Sequence, residues 1–111
     1  MKRVVAILMV LTTLLSLGAC GAKEENDNSY TVGICQLMVH DALDQATQGF
    51  QDALKAEMEA AGKTVEFDVQ VAREANLCTT VINTFTAKKV DLIMANATPA
   101  LLAAARMPTL V

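Results

Sequence analysis

Three polar side chains that can bind a small molecule lie close together near the start of the chain. Gln36, His40 and Asp44 follow a short apolar segment. An amide both donates and accepts hydrogen bonds, an imidazole makes polar or stacking contacts, and a carboxylate accepts from an ammonium group. Each residue also has a structural alternative: Gln36 can bond a neighbouring loop, His40 can pack at a helix entry, and Asp44 can stabilise a helix N-terminus.

A second polar group, Asn96, Ala97 and Thr98, follows another apolar segment. Thr98 predicts a helix N-cap, with Pro99 in the first helical position. The free backbone N–H groups of a helix start favour anions, so the backbone around Ala97 can hold a ligand carboxylate. The predicted ligand-binding residues are therefore Gln36, His40, Asp44, Asn96, Ala97 and Thr98.

Other chemistries have less support in the sequence. His40 and Asp44 have a spacing that suits two metal ligands on a helix, but a third ligand is missing, so we predict no metal. A Cys35–His40 nucleophile pair would make an enzyme, but an apolar strand suppresses the Cys35 thiolate, so we predict no catalytic residue. No glycine-rich phosphate loop is present, and we predict no cofactor. A Cys35–Cys78 disulfide needs Cα atoms within about 7 Å. The sequence does not give that distance, so it leaves open whether the disulfide forms.

Charge is divided unevenly along the chain. Residues 1–19 carry only Lys2 and Arg3, whereas residues 20–111 carry seven basic and 12 acidic residues, a net charge of −5. An acidic body lacks the clustered Lys and Arg side chains that displace counterions from nucleic acids. We therefore predict no nucleic-acid partner.

The N-terminus has the pattern of a targeting segment. Two basic residues precede an apolar run over residues 4–17, which ends in the sequence Leu-Gly-Ala-Cys20. These four residues resemble the lipobox of bacterial lipoproteins, in which the cysteine is lipidated and becomes the new N-terminus. We predict a signal peptide over 1–19, lipidation of Cys20, a tether over 20–29 and anchoring to the extracytoplasmic face of the cell membrane. A transmembrane helix over 4–22 is the alternative.

The rest of the chain alternates between strand and helix patterns. We predict strands at 30–36, 64–71 and 90–95, helices at 41–61, 75–87 and from 98 onwards, and the start of a fourth strand at 107–111. The alternating pattern of the second strand favours a sheet edge, and the continuous apolar run of the third favours the centre. Asp41 is the predicted cap of the first helix. Its predicted inward stripe is 43, 46, 50, 54, 58 and 61, and that of the second helix is Leu77, Cys78, Val81, Ile82 and Phe85.

This element order predicts a doubly wound α/β fold with a parallel sheet in strand order 2-1-3-4, as in a flavodoxin-like lobe. Ligands bind such sheets outside the carboxyl ends of the strands. The two groups of candidate residues fall there. The chain stops as the fourth strand begins, so we expect residues 30–111 to be an incomplete N-terminal lobe.

Three segments resemble the substrate-binding proteins of ABC transporters related to tryptophan and other amino-acid importers: GICQLMVHDALDQATQGFQDAL (33–54), LCTTVINTF (77–85) and VDLIMANATPALLAAA (90–105). The resemblance runs from residue 30 to residue 111. It implies a lobe like those of type I periplasmic binding proteins, where two lobes close on a small ligand that permease and ATPase subunits then take up. Relatives usually carry Gly-Asp after the second strand, where this chain reads Ala72-Arg73-Glu74-Ala75.

The predicted function is extracytoplasmic capture of a small amino acid-like ligand, including an aromatic one such as tryptophan, for an ABC importer. The predicted partners are that ligand, the permease and ATPase subunits and, through the lipid anchor, the membrane. We predict no enzymatic activity. The alternatives are a sugar-binding ABC lipoprotein, a truncated remnant without binding activity, and a flavodoxin-like surface enzyme.

Overall fold

The computed structural model describes residues 28–107. The elements are β1 (Ser29–Gln36), α1 (Asp41–Ala60), β2 (Thr64–Val71), α2 (Leu77–Lys88), β3 (Leu92–Asn96) and α3 (Thr98–Ala105). The predicted signal peptide over 1–19, the lipidation site Cys20 and most of the tether lie outside the described residues. Residues 108–111 of the predicted fourth strand lie outside them as well.

The three strands form a parallel sheet in the order β2-β1-β3, which confirms the predicted α/β class and the first three positions of the strand order. β2 lies at an edge, as its alternating pattern predicts. β3 lies at the other edge of the described sheet, although its apolar run favours a central position. It begins later than predicted because Asp91 belongs to the connection, where its Oδ2 accepts from the Thr31 N–H at 2.7 Å.

Helices cover both faces of the sheet. Successive side chains of a strand point to opposite faces. In β1, Gln36 reaches α1, whereas Cys35 joins a buried cluster with residues of α2 and α3. α1 therefore covers one face, while α2 and α3 cover the other.

His40, and not Asp41, is the N-cap of α1. The His40 backbone is extended (φ −160°, ψ 136°), and its Nδ1 accepts from the Ala42 N–H at 3.1 Å. The prediction of Asp41 as the cap was wrong because an imidazole nitrogen supplies the acceptor one residue earlier. Asp41 instead lies in the first turn, where a negative charge favours the helix dipole.

The inward stripe of α1 passes through Thr47 instead of the predicted Ala46. Thr47 is 5% exposed, whereas Ala46 and Ala61 are both exposed. The steps from Leu43 through Thr47 to Phe50 are the same three and four residues as in the predicted stripe. The prediction failed at this position because it followed apolar residues only, and the side chain that faces the sheet here is polar.

α2 begins at Leu77, two residues later than predicted. Its buried residues are Cys78, Ile82 and Phe85, spaced by four and three positions. Leu77 was predicted to face inward but is 42% exposed. It occupies the first helical position, and the stripe that begins at Cys78 places it beside the contact face.

Phe85 packs directly over Gly33 in the central strand. Both are buried, and Phe85 is 0% exposed. A Cβ atom on Gly33 would lie 2.6 Å from Cγ of the Phe85 ring. The sheet and α2 approach each other this closely because glycine has no side chain.

Ala97 is the N-cap of α3, and Thr98 is the first helical residue. The prediction of Thr98 as the cap was therefore wrong by one position. The Ala97 backbone has φ 91° and ψ 156°, a region that is essentially restricted to glycine and costs about 1–3 kcal/mol in other residues. Strain is thus stored between β3 and α3, where the ligand site is predicted.

Replacing Ala97 with glycine should stabilise the protein by about 1 kcal/mol. Relief of the strain exceeds the extra entropy that glycine loses on folding. Urea unfolding of the full chain measures the change. Ala53→Gly, at an exposed position inside α1, is the control and should cost about 1 kcal/mol. Equal losses in both variants would mean that Ala97 is not strained.

Candidate functional site

The carboxyl ends of the three strands meet at one edge of the sheet. Gln36, the last residue of β1, is paired in register with Val71 on one side and Asn96 on the other. The loops that follow therefore start side by side: residues 37–40 after β1, 72–76 after β2, and Ala97 after β3. This edge is where an open parallel sheet binds its ligand.

Backbone hydrogen bonds hold the three loops together. The Leu37 N–H donates to the Asn96 carbonyl at 3.2 Å, the Ala72 N–H donates to the Gln36 carbonyl at 2.8 Å, and the Arg73 N–H donates to the Leu37 carbonyl at 2.6 Å. Arg73 has φ 73°, in the left-handed region that favours glycine.

A polar cluster of three buried residues and one exposed carboxylate, which we call the clamp, lies beneath these loops. It consists of Gln36, Asp44, Thr47 and Asn96. The Gln36 Nε2 donates to the Met38 carbonyl at 2.8 Å and to Asp44 Oδ1 at 2.6 Å. The Thr47 hydroxyl donates to Gln36 Oε1 at 2.6 Å, and it accepts from Asn96 Nδ2 at 2.9 Å. The clamp joins the ends of β1 and β3 to the first half of α1.

The structure gives the predicted site residues different positions. Gln36 and Asn96 are buried, at 2% and 8% exposure, and hold neighbouring elements through internal hydrogen bonds. This is the structural alternative that the sequence offered for Gln36. His40, Asp44 and Thr98 are exposed at the same edge, and Ala97 is half-buried between them. Ligand contact by these six residues stays a prediction.

The loop after β1 also exposes apolar side chains. Met38 is 42% exposed and Val39 is 75% exposed, immediately before His40. The Met38 carbonyl and Asp44 Oδ1 accept from the same Gln36 Nε2, so this loop and the Asp44 carboxylate lie close together. The edge therefore combines polar groups with an apolar contact surface, as small-molecule sites commonly do.

Thr47 is the residue of this region that the sequence analysis missed. It makes two of the hydrogen bonds of the clamp, yet it lies 11 residues from Gln36 and 49 from Asn96. A signal for it does exist. Thr47 falls four residues after Leu43 and three before Phe50, so a polar side chain sits on the inward face of an amphipathic helix. A polar residue on such a face needs a partner.

Cys35 and Cys78 are free, buried thiols in the cluster between the sheet and α2. The Cys78 thiol donates to the Glu74 carbonyl at 3.8 Å. Burial and the neighbouring Cys78 thiol raise the pKa of Cys35 to about 12. A thiol held in its neutral form is a poor nucleophile, which argues against the Cys35–His40 enzyme alternative.

Two cavities lie among the described residues. One of about 340 Å³ lies at the same carboxyl edge, on the side of α2 and α3, and its lining includes Asn76 of the loop after β2, Thr79 and Pro99. The other, of about 430 Å³, lies against α1, and the residues that line it include Tyr30 and Leu92 near the opposite ends of the strands. Within residues 28–107, no three His, Cys, Asp or Glu side chains are grouped to hold a metal ion, and no helix is long and apolar enough to cross a membrane.

Comparison with known protein families identifies the family of this chain. A family described as ABC transporter substrate binding protein matches residues 31–107, from β1 to the end of α3 and well over half of the chain. The chain belongs to this family. As an ABC transporter substrate-binding protein, it has a small molecule as its ligand and an ABC transporter as its partner, and its class is one of binding proteins without enzymatic activity. No curated protein and no solved structure gives a match.

Proposed function

We propose that this ABC transporter substrate-binding protein captures a small amino acid-like ligand at the carboxyl edge of its sheet. The observation that carries the proposal is the exposed carboxylate of Asp44, held by Gln36 at 2.6 Å next to the apolar surface of Met38 and Val39. A carboxylate accepts hydrogen bonds from a ligand ammonium group. The apolar surface favours a ligand with an apolar or aromatic side chain, such as tryptophan.

The carboxylate of the amino acid would meet the start of α3. Ala97 and Thr98 follow Asn96 directly, and the first N–H groups of a helix favour a carboxylate. Ammonium recognition at one loop and carboxylate recognition at the next fit a free amino acid. A neutral sugar would use neither charge, so this pairing favours the amino acid over the sugar alternative.

We propose further that the protein is a lipoprotein of the extracytoplasmic face of the cell membrane. The lipobox ending at Cys20 supports this, as does the polar tether between Cys20 and the start of β1 at Ser29. The tether would hold the ligand-binding lobe near the permease subunit. Radiolabelled fatty acid should be incorporated into the wild-type protein and not into Cys20→Ala.

Calorimetry on the protein purified from its own membranes tests the ligand class. We expect saturable heat with at least one amino acid from a panel of all 20, strongest for apolar or aromatic side chains, and none with a matched panel of sugars. Val39→Ser should weaken that binding by about tenfold, because it removes an apolar contact and leaves the charges of the site unchanged. Heat with sugars alone would overturn the amino acid assignment, and no heat with either panel would overturn the proposed site.

A further inference from the structure

We propose that Thr47 is the positioning residue of the candidate site: its hydroxyl anchors the oxygen of the Gln36 amide and thereby holds the loop 37–40 in its binding-competent arrangement. The proposal rests on the proposed function, since it concerns the same edge of the sheet. It assigns a role to a buried side chain of α1.

The Thr47 hydroxyl forms two hydrogen bonds, one as acceptor and one as donor. A hydroxyl has one proton to donate. Asn96 Nδ2 is itself a donor and lies 2.9 Å from the Thr47 hydroxyl, so the hydroxyl accepts there. Its own proton is donated to the other neighbour, Gln36 Oε1, 2.6 Å away.

The two ends of the Gln36 amide face different kinds of partner. With Oε1 fixed on Thr47, the Nε2 of Gln36 faces the Met38 carbonyl at 2.8 Å and Asp44 Oδ1 at 2.6 Å. Both of those atoms are acceptors. If the amide turned over, Oε1 would face two oxygen acceptors and Nε2 would face the hydroxyl. The two acceptors fix the orientation of the amide, and Thr47 supplies the donor that the buried Oε1 needs, so that all four contacts are satisfied.

The Gln36 amide is hydrogen-bonded to the proposed binding loop and to α1. The Met38 carbonyl belongs to the loop 37–40, and Asp44 belongs to the first turn of α1. One buried amide thus fixes both the loop that exposes Met38 and the carboxylate proposed to meet the ligand. Thr47 is 5% exposed and Gln36 is 2% exposed. Water therefore has little access to replace a hydrogen bond that a substitution removes.

Thr47→Val tests the proposal because valine keeps the shape of threonine and removes the hydroxyl. Gln36 Oε1 then loses its buried partner, and we expect amide hydrogen exchange to rise about tenfold at Leu37, Asp44 and Arg73. The amide of Ile34, in the buried part of β1, should exchange at the wild-type rate. Thr47→Ser should restore the wild-type pattern, since it returns the hydroxyl.

The matched control is Thr86→Val in α2. Thr86 is a partly buried helical threonine whose hydroxyl donates to the Ile82 carbonyl at 3.1 Å, away from the clamp. It should leave the exchange of Leu37 and Asp44 unchanged. Unchanged exchange at those amides in Thr47→Val, or an equal rise at Ile34, would overturn the positioning role.

In the wild-type full chain, the Gln36 carboxamide protons should also exchange slowly. Fast exchange would contradict the proposal even if Thr47→Val did not fold.

Affinity separates this proposal from the proposed function. For the amino acid that gives the strongest heat, Thr47→Val should bind about tenfold more weakly, and Thr47→Ser and Thr86→Val should bind as the wild type does. If the wild-type protein binds no amino acid, the proposed function fails, while hydrogen exchange still tests the clamp. Altered loop exchange with unaltered affinity would show that Thr47 does not position the site.

Discussion

Replacing Gly33 with alanine is expected to lower the free energy of unfolding by about 3 kcal/mol, the upper end of the usual range for an overpacked core. The added Cβ would lie 2.6 to 2.9 Å from three atoms of the Phe85 ring. That ring is 0% exposed, and α2 holds it against the central strand, so it has no free direction in which to move. Gly33→Val should not fold.

Gly49→Ala is the matched control for this experiment. A Cβ at Gly49, in the middle of α1, would meet no atom within 4 Å. It should raise stability by about 0.5–1 kcal/mol, because alanine favours a helix over glycine. Urea unfolding of the full chain, followed by circular dichroism, measures both variants. Phe85→Leu should recover part of the loss in Gly33→Ala, and equal effects of Gly33→Ala and Gly49→Ala would contradict the close contact.

Asp44→Asn is expected to weaken amino acid binding by about 10- to 100-fold. The change removes the negative charge that would meet the ligand ammonium, and a hydrogen bond between charged groups contributes about 1.5–3 kcal/mol. The asparagine carbonyl oxygen can still accept from Gln36 Nε2, so the clamp is preserved. The loss should therefore appear in the calorimetric affinity with little change in the melting temperature.

Asp41→Asn is the control, because Asp41 lies in the same first turn of α1 and carries the same charge. It should leave the affinity nearly unchanged. The des-amino analogue of the ligand completes a double-mutant cycle: it should bind the wild-type protein and Asp44→Asn equally well. If Asp44→Asn weakens binding of the analogue as much as it weakens binding of the amino acid, Asp44 does not meet the ammonium group.

The strand ends and the loops after them could be predicted from the sequence because each depends on a local pattern. The alternating residues of β2 and the apolar run of β1 specify strands, and parallel strands place their carboxyl ends at one edge. Gln36 was found in this way as the last residue of the predicted strand 30–36, and Asn96 as the first residue after the predicted strand 90–95. That prediction needed no knowledge of their contacts.

The roles of individual side chains could not be predicted because they depend on tertiary contacts. Thr47 was excluded from the inward stripe because it is polar, and only the position of Gln36 and Asn96 beneath it explains its burial. His40 caps α1 through an imidazole nitrogen, although Asp41 is the more common capping type. Ala97 adopts a conformation typical of glycine, which an alanine gives no reason to expect.

The central claim is that an amino acid binds at the carboxyl edge of the sheet, and residue-resolved NMR titration tests it most directly. The ¹⁵N-labelled protein is titrated with each amino acid of the panel, and the amide shifts are mapped. We predict that the largest shifts fall on residues 36–44 and 96–98. Shifts confined to Tyr30 and Leu92, at the cavity near the opposite ends of the strands, would contradict the account, and so would the absence of any saturable shift.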